Sequence, residues 1–211
     1  MEKEIYLIRH GETDYNLFGM IQGSGIDSSL NETGRQQAAL FFETFSLIKF
    51  DRVYVSALQR THQSVAAFTA CGIPTEIHPE LNEISWGEHE GKVANSLDKE
   101  YFSYIINSWK GGRTNIAIRG GESPEELTLK QEKVIKLLRS RTDEKRVLIC
   151  MHGRAMRIFL CNLLSLPLSE MDRFHHENLC LYILRLNDDG TFEIKLENHT
   201  DHLLPMAVEE I

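Results

Sequence analysis

Two histidines of this chain each stand between a short apolar run and a glycine. Ile5 to Ile8 precede His10-Gly11, and Val147 to Met151 precede His152-Gly153. Such runs, rich in β-branched residues, are typical of buried strands, and open α/β sheets bind ligands beyond the carboxyl ends of their strands. A glycine at that point lets the backbone turn sharply and lets a ligand approach closely. The sequence therefore predicts that both histidines face one ligand site.

Two arginines accompany these histidines. Arg9 directly precedes His10, and Arg60 falls in the first turn of a helix predicted to begin at Ser56, where Gln59 completes a capping box. A cation in the first helical turn opposes the helix dipole, at a cost of up to about 1 kcal/mol, and a bound anion removes that conflict. Both arginines therefore fit a phosphate clamp. Structural ion pairs with some of the 31 acidic residues are the alternative.

Strand and helix patterns alternate along the chain. Helices are predicted from three- and four-residue apolar spacing and from capping residues, and they fall between the apolar runs. They follow Asn31, Ser56, Ser123 and Gly153, the second ending near Gly72 and the fourth at Pro167. The predicted strands are Ile5 to Ile8, Arg52 to Val55, Thr75 to His78, Arg146 to Met151, Cys180 to Leu186 and Phe192 to Leu196.

This alternation predicts an α/β fold, namely a three-layer α/β/α sandwich around a mostly parallel central sheet. Asp188-Asp189-Gly190 between the last two strands is a hairpin signal, so one edge strand is expected to be antiparallel. The segment from Trp86 to Gly121 mixes aromatic residues with paired glycines, which we interpret as a small inserted cap. At 211 residues, we expect a single domain, 1–211, with this cap at about 86–121.

Composition and charge argue against several classes of partner. The formal charge of −8 disfavours nucleic acid and anionic membranes and, taken alone, also an anionic substrate. The four cysteines lie too far apart for a zinc site or a redox motif, so we expect reduced thiols. No apolar stretch follows a basic start or is long enough to span a bilayer. We therefore expect a cytoplasmic protein.

Further motifs surround the candidate residues in a defined order. They are Arg9 to Thr13 with Asn16; Gln22-Gly23; Leu30 to Gly34 with Gln37-Ala38; Ser56, Leu58 and Arg60; Leu81, Glu83, Gly87, Glu90 and Gly91; Gly120 to Ser123; and His152-Gly153. A lone Arg-His-Gly is a weak signal, whereas this ordered set, from about Glu4 to about Leu186, is specific. The set resembles the histidine phosphatase superfamily, which includes the cofactor-dependent phosphoglycerate mutases.

The resemblance implies a role for each matching residue. His10 is the implied nucleophile, which takes a phosphoryl group on one ring nitrogen, so its other nitrogen should donate to a carbonyl. Glu83 is the implied acid for the leaving alcohol and base for water, and a neighbouring phosphate dianion favours its protonated form. Arg9, Arg60 and a cationic His152 supply charge without a metal. The implied phosphate-binding residues are Arg9, Asn16, Gln22, Gly23, Arg60, His152 and Gly153.

Within this superfamily the sequence resembles the phosphatases more than the mutases. Mutases typically continue the glutamate block with an arginine and carry a later arginine pair that grips the substrate carboxylate. Here Ile84 follows Glu83, and where the pair would be expected the cap offers only Lys110 and Arg113, separated by two glycines. We expect a metal-independent phosphatase that hydrolyses a small phosphate monoester through a phosphohistidine, with no cofactor. The alternative is a cofactor-dependent phosphoglycerate mutase, in which case 2,3-bisphosphoglycerate is the cofactor.

Hypotheses from other classes also remain open. A non-catalytic phospholigand-binding module needs neither His10 nor Glu83, so their presence argues against it, and a metal-dependent hydrolase would use both of them with His152. The expected partner is a small phosphorylated metabolite, and a homodimer is one option for the assembly. The other seven histidines match no family position and are expected on the surface or in loops. The tail from His199 to Ile211 is expected either to fold over the cleft or to be disordered.

Overall fold

The computed structural model describes residues 2–93 and 95–208, which build one six-stranded central sheet. Its strands are β1 (Lys3–Arg9), β2 (Arg52–Val55), β3 (Thr75–Ile77), β4 (Arg146–Met151), β5 (Leu181–Leu186) and β6 (Phe192–His199). Their order in space is β3-β2-β4-β1-β5-β6. The first four are parallel, whereas β5 runs antiparallel to both of its neighbours. The predicted mostly parallel sheet with an antiparallel edge is confirmed.

Helices cover both faces of the sheet. They are α1 (Asp14–Leu17), α2 (Glu32–Phe45), α3 (Gln59–Ser64), α4 (Ala66–Ala70), α5 (Ser96–Lys110), α6 (Pro124–Ser140), α7 (Gly153–Leu163) and α8 (Leu204–Val208). Leu7 of β1 shares one buried cluster with α6 and α7, and Ile8 shares the opposite cluster with α2 and α4. The fold is therefore the predicted α/β/α sandwich.

Helix α6 shows how local sequence produces these elements. Ser123 caps the helix and Pro124 occupies its first turn, while Glu126 completes a capping box with the Ser123 backbone. Leu127 and Val134 then bury one stripe of the helix against the sheet. The predicted start of this helix is confirmed.

The helix predicted to begin at Ser56 begins three residues later. Leu58 occupies the N-cap position without a side-chain hydrogen bond, and α3 starts at Gln59, so the proposed capping box with Ser56 is wrong. The Ser56 hydroxyl instead accepts from the backbone N–H of Leu58 and bonds to His152. The helix is also interrupted at Val65, where φ is −117°, before α4 continues toward Gly72.

The cap segment, residues 86–121, contains a helix that the sequence analysis did not identify. Asn95 forms a capping box with Asp98 and starts the 15-residue α5. Ile105 and Trp109 of this helix are buried in the same cluster as the sheet residues. The Trp109 ring lies 5.6 Å from the Trp86 ring, so the cap packs onto the core through aromatic contacts.

The described part of the C-terminal tail packs against α2. After β6, a 3-10 helix at Asp201–Leu203 places the His202 ring 5.3 Å from Phe41 and 5.6 Å from Phe45. Residues 209–211 of the predicted tail lie outside the described residues. None of the helices found in the described ranges combines the length and apolar character that crossing a bilayer requires.

Candidate active site

The site lies where β1 and β4 end side by side. Arg9 pairs with Met151 in the parallel ladder, and the backbone N–H of His10 donates to the Met151 carbonyl over 3.0 Å. His10 and His152 therefore leave adjacent strands together, with ring centroids 5.2 Å apart. The predicted meeting of the two histidines at one sheet edge is what the structure shows.

The His10 ring is held in one tautomer. Its Nδ1 lies 2.7 Å from the Gly11 carbonyl oxygen, which only accepts, so Nδ1 carries the proton and Nε2 keeps a lone pair. Burial, followed by the positive charges of Arg60 and Arg9, holds the pKa of His10 well below its ordinary value. The ring is therefore neutral near pH 7, and its unprotonated Nε2 is what a nucleophilic histidine requires.

His152 is also fully buried, but both of its ring nitrogens have protein partners. Arg60 Nε donates to His152 Nδ1 over 3.1 Å, and His152 Nε2 lies 2.8 Å from the Ser56 hydroxyl. Burial and the charge of Arg60 hold the pKa of His152 well below its ordinary value, so the ring is neutral here. The cationic, phosphate-holding role of His152 stays a prediction, and it requires one ring nitrogen to exchange its present partner for phosphate.

Arg60 is completely buried and connects the site to the front loop, which we define as residues 19–28. Its Nη1 donates to the Ile26 carbonyl over 2.6 Å, and its Nη2 donates to the Gly23 carbonyl over 3.3 Å. Burial lowers the pKa of Arg60 to about 10, which leaves the side chain charged at neutral pH. Together with the bond from Nε to His152, these contacts use three of the five guanidinium N–H donors, so two remain for a ligand.

The front loop requires a glycine at position 23. A Cβ there would lie 2.1 Å from Oε1 of Glu90 and 2.7 Å from the Ile84 carbonyl. The neighbouring Gln22 is held by the Thr13 hydroxyl, 2.7 Å from its Nε2, and by Ser28. These contacts shape the loop, and the phosphate-binding roles of Gln22 and Gly23 stay predictions.

Arg9 presents a donor that the described residues leave unused, and Asn16 is held in place by its neighbours. Arg9 Nε is buried without a hydrogen-bond partner in residues 2–93 and 95–208. Asn16 Oδ1 accepts from the Thr13 backbone and lies 3.3 Å from Asn178 Nδ2, which orients the Asn16 side chain. Unpartnered buried donors are costly, and a phosphate oxygen would satisfy them.

Glu83 is fixed at the N-terminus of α7. Its Oε2 accepts from the backbone N–H of Arg154 over 3.0 Å, and its Oε1 accepts from Ala155 over 2.8 Å and from Ile84 over 2.9 Å. His152, the N-cap residue of α7, makes no side-chain cap, so Glu83 supplies the acceptor that the helix lacks. The helix therefore holds the proposed proton carrier beside His152.

Two residues of the site were missed by the sequence analysis. His176 Nδ1 lies 3.4 Å from Arg9 Nη1, and Asn178 Nδ2 donates to the His10 carbonyl over 2.9 Å. Both precede β5, whose antiparallel direction places its first residue, Leu181, opposite Ile8 at the end of β1. The polar run from His175 to Asn178 marks a loop in the sequence, and only the antiparallel pairing of β5 with β1 brings that loop to the site.

His176 also explains the glycine after His152. A Cβ on Gly153 would lie 2.9 Å from Cε1 of His176. Burial and the charge of Arg9 lower the pKa of His176 to about 3, so the ring is neutral and accepts from the Arg9 guanidinium. Gly153 therefore makes room for a residue that orients Arg9, and its phosphate-binding role stays a prediction.

A cavity of about 140 Å³ opens onto these residues, and we call it the catalytic cavity. Its polar wall combines cationic, nucleophilic and acidic groups, and its apolar wall comes from the front loop and the cap. Among the described residues, no group of three or more His, Cys, Asp or Glu is arranged to hold a metal ion. The lining residues are Arg9, His10, Asn16, Met20, Ile21, Gln22, Glu83, Trp86 and Phe102.

Comparisons with known proteins agree with this arrangement. Residues 5–200 match the histidine phosphatase superfamily (branch 1). The chain is 31% identical over 83% of its length to a protein of Erwinia tasmaniensis named "Probable phosphoglycerate mutase GpmB", of which the match covers 81%. It is 29% identical over 83% of its length to the adenosylcobalamin/alpha-ribazole phosphatase of Salmonella typhimurium, covering 87% of that protein. The crystal structure of the alpha-ribazole phosphatase from Shigella flexneri superposes with a TM-score of 0.82 at 25% identity, covering 93% of this chain and 96% of that one.

Proposed function

The chain belongs to the histidine phosphatase superfamily, and on that premise we propose that it is a metal-independent phosphatase acting on a small phosphate monoester through a phosphohistidine at His10. The His10 ring carries the proposal. Its Nδ1 is held by the Gly11 carbonyl at 2.7 Å, and its environment favours the neutral form. Nε2 therefore offers a free lone pair in a residue that lines the catalytic cavity, as a nucleophile requires.

The proposed reaction has two steps. In the first, His10 Nε2 bonds to phosphorus while the bond from phosphorus to the alcohol oxygen breaks, and Glu83 gives its proton to that oxygen. In the second, water attacks phosphorus, passes a proton to Glu83, and the nitrogen–phosphorus bond breaks to release phosphate. Arg9 and Arg60 stabilise the negative charge on the phosphoryl oxygens during both steps.

The positions of the cap cations support a phosphatase over a mutase. Lys110 lies 3.7 Å from Asp172, and Arg113 donates to Ser108 over 2.8 Å and stacks on the Tyr104 ring. Neither cation lines the catalytic cavity, so neither is placed to grip a substrate carboxylate there. The mutase alternative, with 2,3-bisphosphoglycerate as cofactor, is favoured by the 31% identical relative that bears a mutase name.

The wider proposal concerns partner, organisation and location. We propose that the partner is a small phosphorylated metabolite and not nucleic acid or a membrane, in keeping with the charge of −8. Residues 86–121 would serve as the cap of a single domain, and a homodimer is one option for its assembly.

A cytoplasmic location is supported by the four cysteines, which are all free thiols. Members of the superfamily are generally cofactor-independent.

Hydrolysis of p-nitrophenyl phosphate in the presence of a chelator tests the proposal. The wild type should turn over, and His10→Ala should not, whereas the exposed His175→Ala is a matched control that should keep full activity. Turnover that survives His10→Ala would refute the phosphohistidine route, and chelator sensitivity would favour a metal-dependent hydrolase. A protein that binds phosphate esters without turnover would be a binding module.

The isomerase alternative needs a separate measurement. With 3-phosphoglycerate, a phosphatase releases inorganic phosphate, whereas a mutase converts the ester to its 2-isomer in the presence of 2,3-bisphosphoglycerate. We expect phosphate release without isomerisation. The opposite result would assign the chain to the mutases.

A further inference from the structure

A second, larger cavity shares Glu83 with the catalytic cavity. It measures about 290 Å³ and lies between the front loop and α6. Gln22 lines the catalytic cavity and Ser24 lines the second one, so the front loop separates them and Glu83 belongs to both. No step of the proposed reaction uses this second cavity.

The catalytic cavity is small, so a leaving alcohol larger than a few atoms would extend beyond it. Pockets that enclose small organic ligands usually measure about 300–1,000 Å³, whereas this one measures about 140 Å³. Glu83 has to contact the oxygen of the leaving alcohol in order to protonate it. Since Glu83 also lines the second cavity, an alcohol bound at Glu83 has a direct continuation into that space.

Seven of the nine residues that line the second cavity have polar or charged side chains, and the charged ones include both signs. Lys130 pairs with Glu122, and Lys133 Nζ lies 3.4 Å from Glu80 Oε1. Ser24 and Asn82 complete the polar lining. Three carboxylates, including that of Glu83, face two ammonium groups, so the lining does not favour a second anionic group on the ligand.

We propose that the second cavity binds the leaving-alcohol part of the substrate and that this part is a hydroxyl-rich group, a sugar or a polyol. A hydroxyl group both donates and accepts, so it can donate to Glu80 or Glu122 while it accepts from Lys130 or Lys133. The inference rests on the proposed function, because it assumes that the phosphate lies at His10. It adds the class of alcohol, which the catalytic cavity alone does not define.

The competing arrangement places the alcohol against the apolar wall of the catalytic cavity. Met20, Ile21, Trp86 and Phe102 form that wall, and an alkyl or aryl group would pack on it. A matched pair of substrates separates the two arrangements. Sorbitol 6-phosphate and n-hexyl phosphate are both primary phosphate esters of a six-carbon chain, and they differ in the hydroxyl groups along it.

We expect kcat/KM for sorbitol 6-phosphate to exceed that for n-hexyl phosphate by about tenfold, because only the polyol satisfies the polar lining. Lys130→Met and Lys133→Met should each reduce this preference by about threefold to tenfold. Lys136→Met is the matched control, since Lys136 lies on the same helix, pairs with Glu132 at 3.2 Å and does not line the second cavity. It should leave the preference unchanged.

Equal or better turnover of n-hexyl phosphate would overturn the inference, as would a preference that both lysine variants retain. Hydrolysis of p-nitrophenyl phosphate, measured alongside, separates this failure from that of the proposed function. If the aryl ester is hydrolysed in a manner that depends on His10 and the polyol is not preferred, only the inference fails. If no ester is hydrolysed, the proposed function fails with it.

Discussion

The floor and the walls of the catalytic cavity are held by different kinds of contact. The floor, formed by Arg9 and His10 with the fully buried His152 beside them, extends from β1 and β4, which pair from Glu4 to Arg9 and from Arg146 to Met151. The walls, formed by the front loop and the cap, are joined by the Glu90 carboxylate, which accepts from Gly25 over 2.9 Å and from Trp86 over 2.7 Å. The reactive groups thus rest on a continuous backbone ladder, whereas the walls are joined by a few separate hydrogen bonds, those of Glu90 and one from the Gly91 N–H to the Ile21 carbonyl over 2.9 Å.

Among the variants that leave His10 in place, the largest effect is expected at Glu83, which lines the cavity between Gln22 of the front loop and Trp86 of the cap. Glu83→Gln keeps the shape of the side chain but cannot carry the proton, so kcat/KM for an alkyl phosphate should fall by about 100-fold or more. The loss should be far smaller for p-nitrophenyl phosphate, whose leaving group needs little protonation. Equal losses on the two esters would show that Glu83 is not the proton donor.

The next largest effect is expected on the free energy of unfolding, when the front loop is changed at Gly23. Gly23→Ala places a Cβ against Glu90 Oε1 and the Ile84 carbonyl, and overpacking of this kind costs about 1–3 kcal/mol in the free energy of unfolding. Gly111→Ala is the control, because its Cβ would lie 3.5 Å from its nearest neighbours. Urea unfolding of both variants measures the difference. Equal stability would show that the junction at Glu90 does not constrain the front loop.

The buried histidines of the site predict a pH dependence of stability. The pKa of His176 is lowered to about 3 by burial and Arg9, whereas an unfolded histidine titrates near 6.5. Between those values the unfolded chain binds the extra proton, so stability is present above pH 6.5 and falls as the pH falls, by about 1.4 kcal/mol per pH unit for each such histidine. Urea unfolding at pH 7 and pH 5 should show a smaller decrease for His176→Ala than for the wild type. The exposed His175→Ala should retain the wild-type decrease, and an unchanged slope in His176→Ala would contradict the assignment.

The smallest effect is expected from the loss of the hydrogen bond between His176 and Arg9, a residue of the floor. His176→Ala removes the acceptor at 3.4 Å from Arg9 Nη1, so kcat/KM should fall by about threefold to tenfold while His10 stays intact. His176→Asn, which offers a carbonyl oxygen as an acceptor, should recover part of the loss, as expected for a residue that positions Arg9. No recovery would indicate that the ring acts through packing against Gly153.

Much of the floor could be predicted from the sequence, because each strand before His10 and His152 is a short apolar run and each glycine after it marks a turn. The cap helix was missed although Phe102, Ile106 and Trp109 follow helical spacing. The two glycine pairs that follow it, Gly111-Gly112 and Gly120-Gly121, hid that period. Long-range contacts such as Asn178 to His10 leave no local pattern, since they arise only when β5 pairs antiparallel to β1.

The central claim is that His10 carries the phosphoryl group during turnover. Rapid mixing with p-nitrophenyl phosphate, a quench at alkaline pH and mass spectrometry of the peptide that contains His10 test it directly. The structure predicts one phosphoryl group on His10, stable to base and labile to acid, that appears and decays at rates consistent with turnover. Turnover with no phosphorylated His10, or with the phosphoryl group on another residue, would contradict the account.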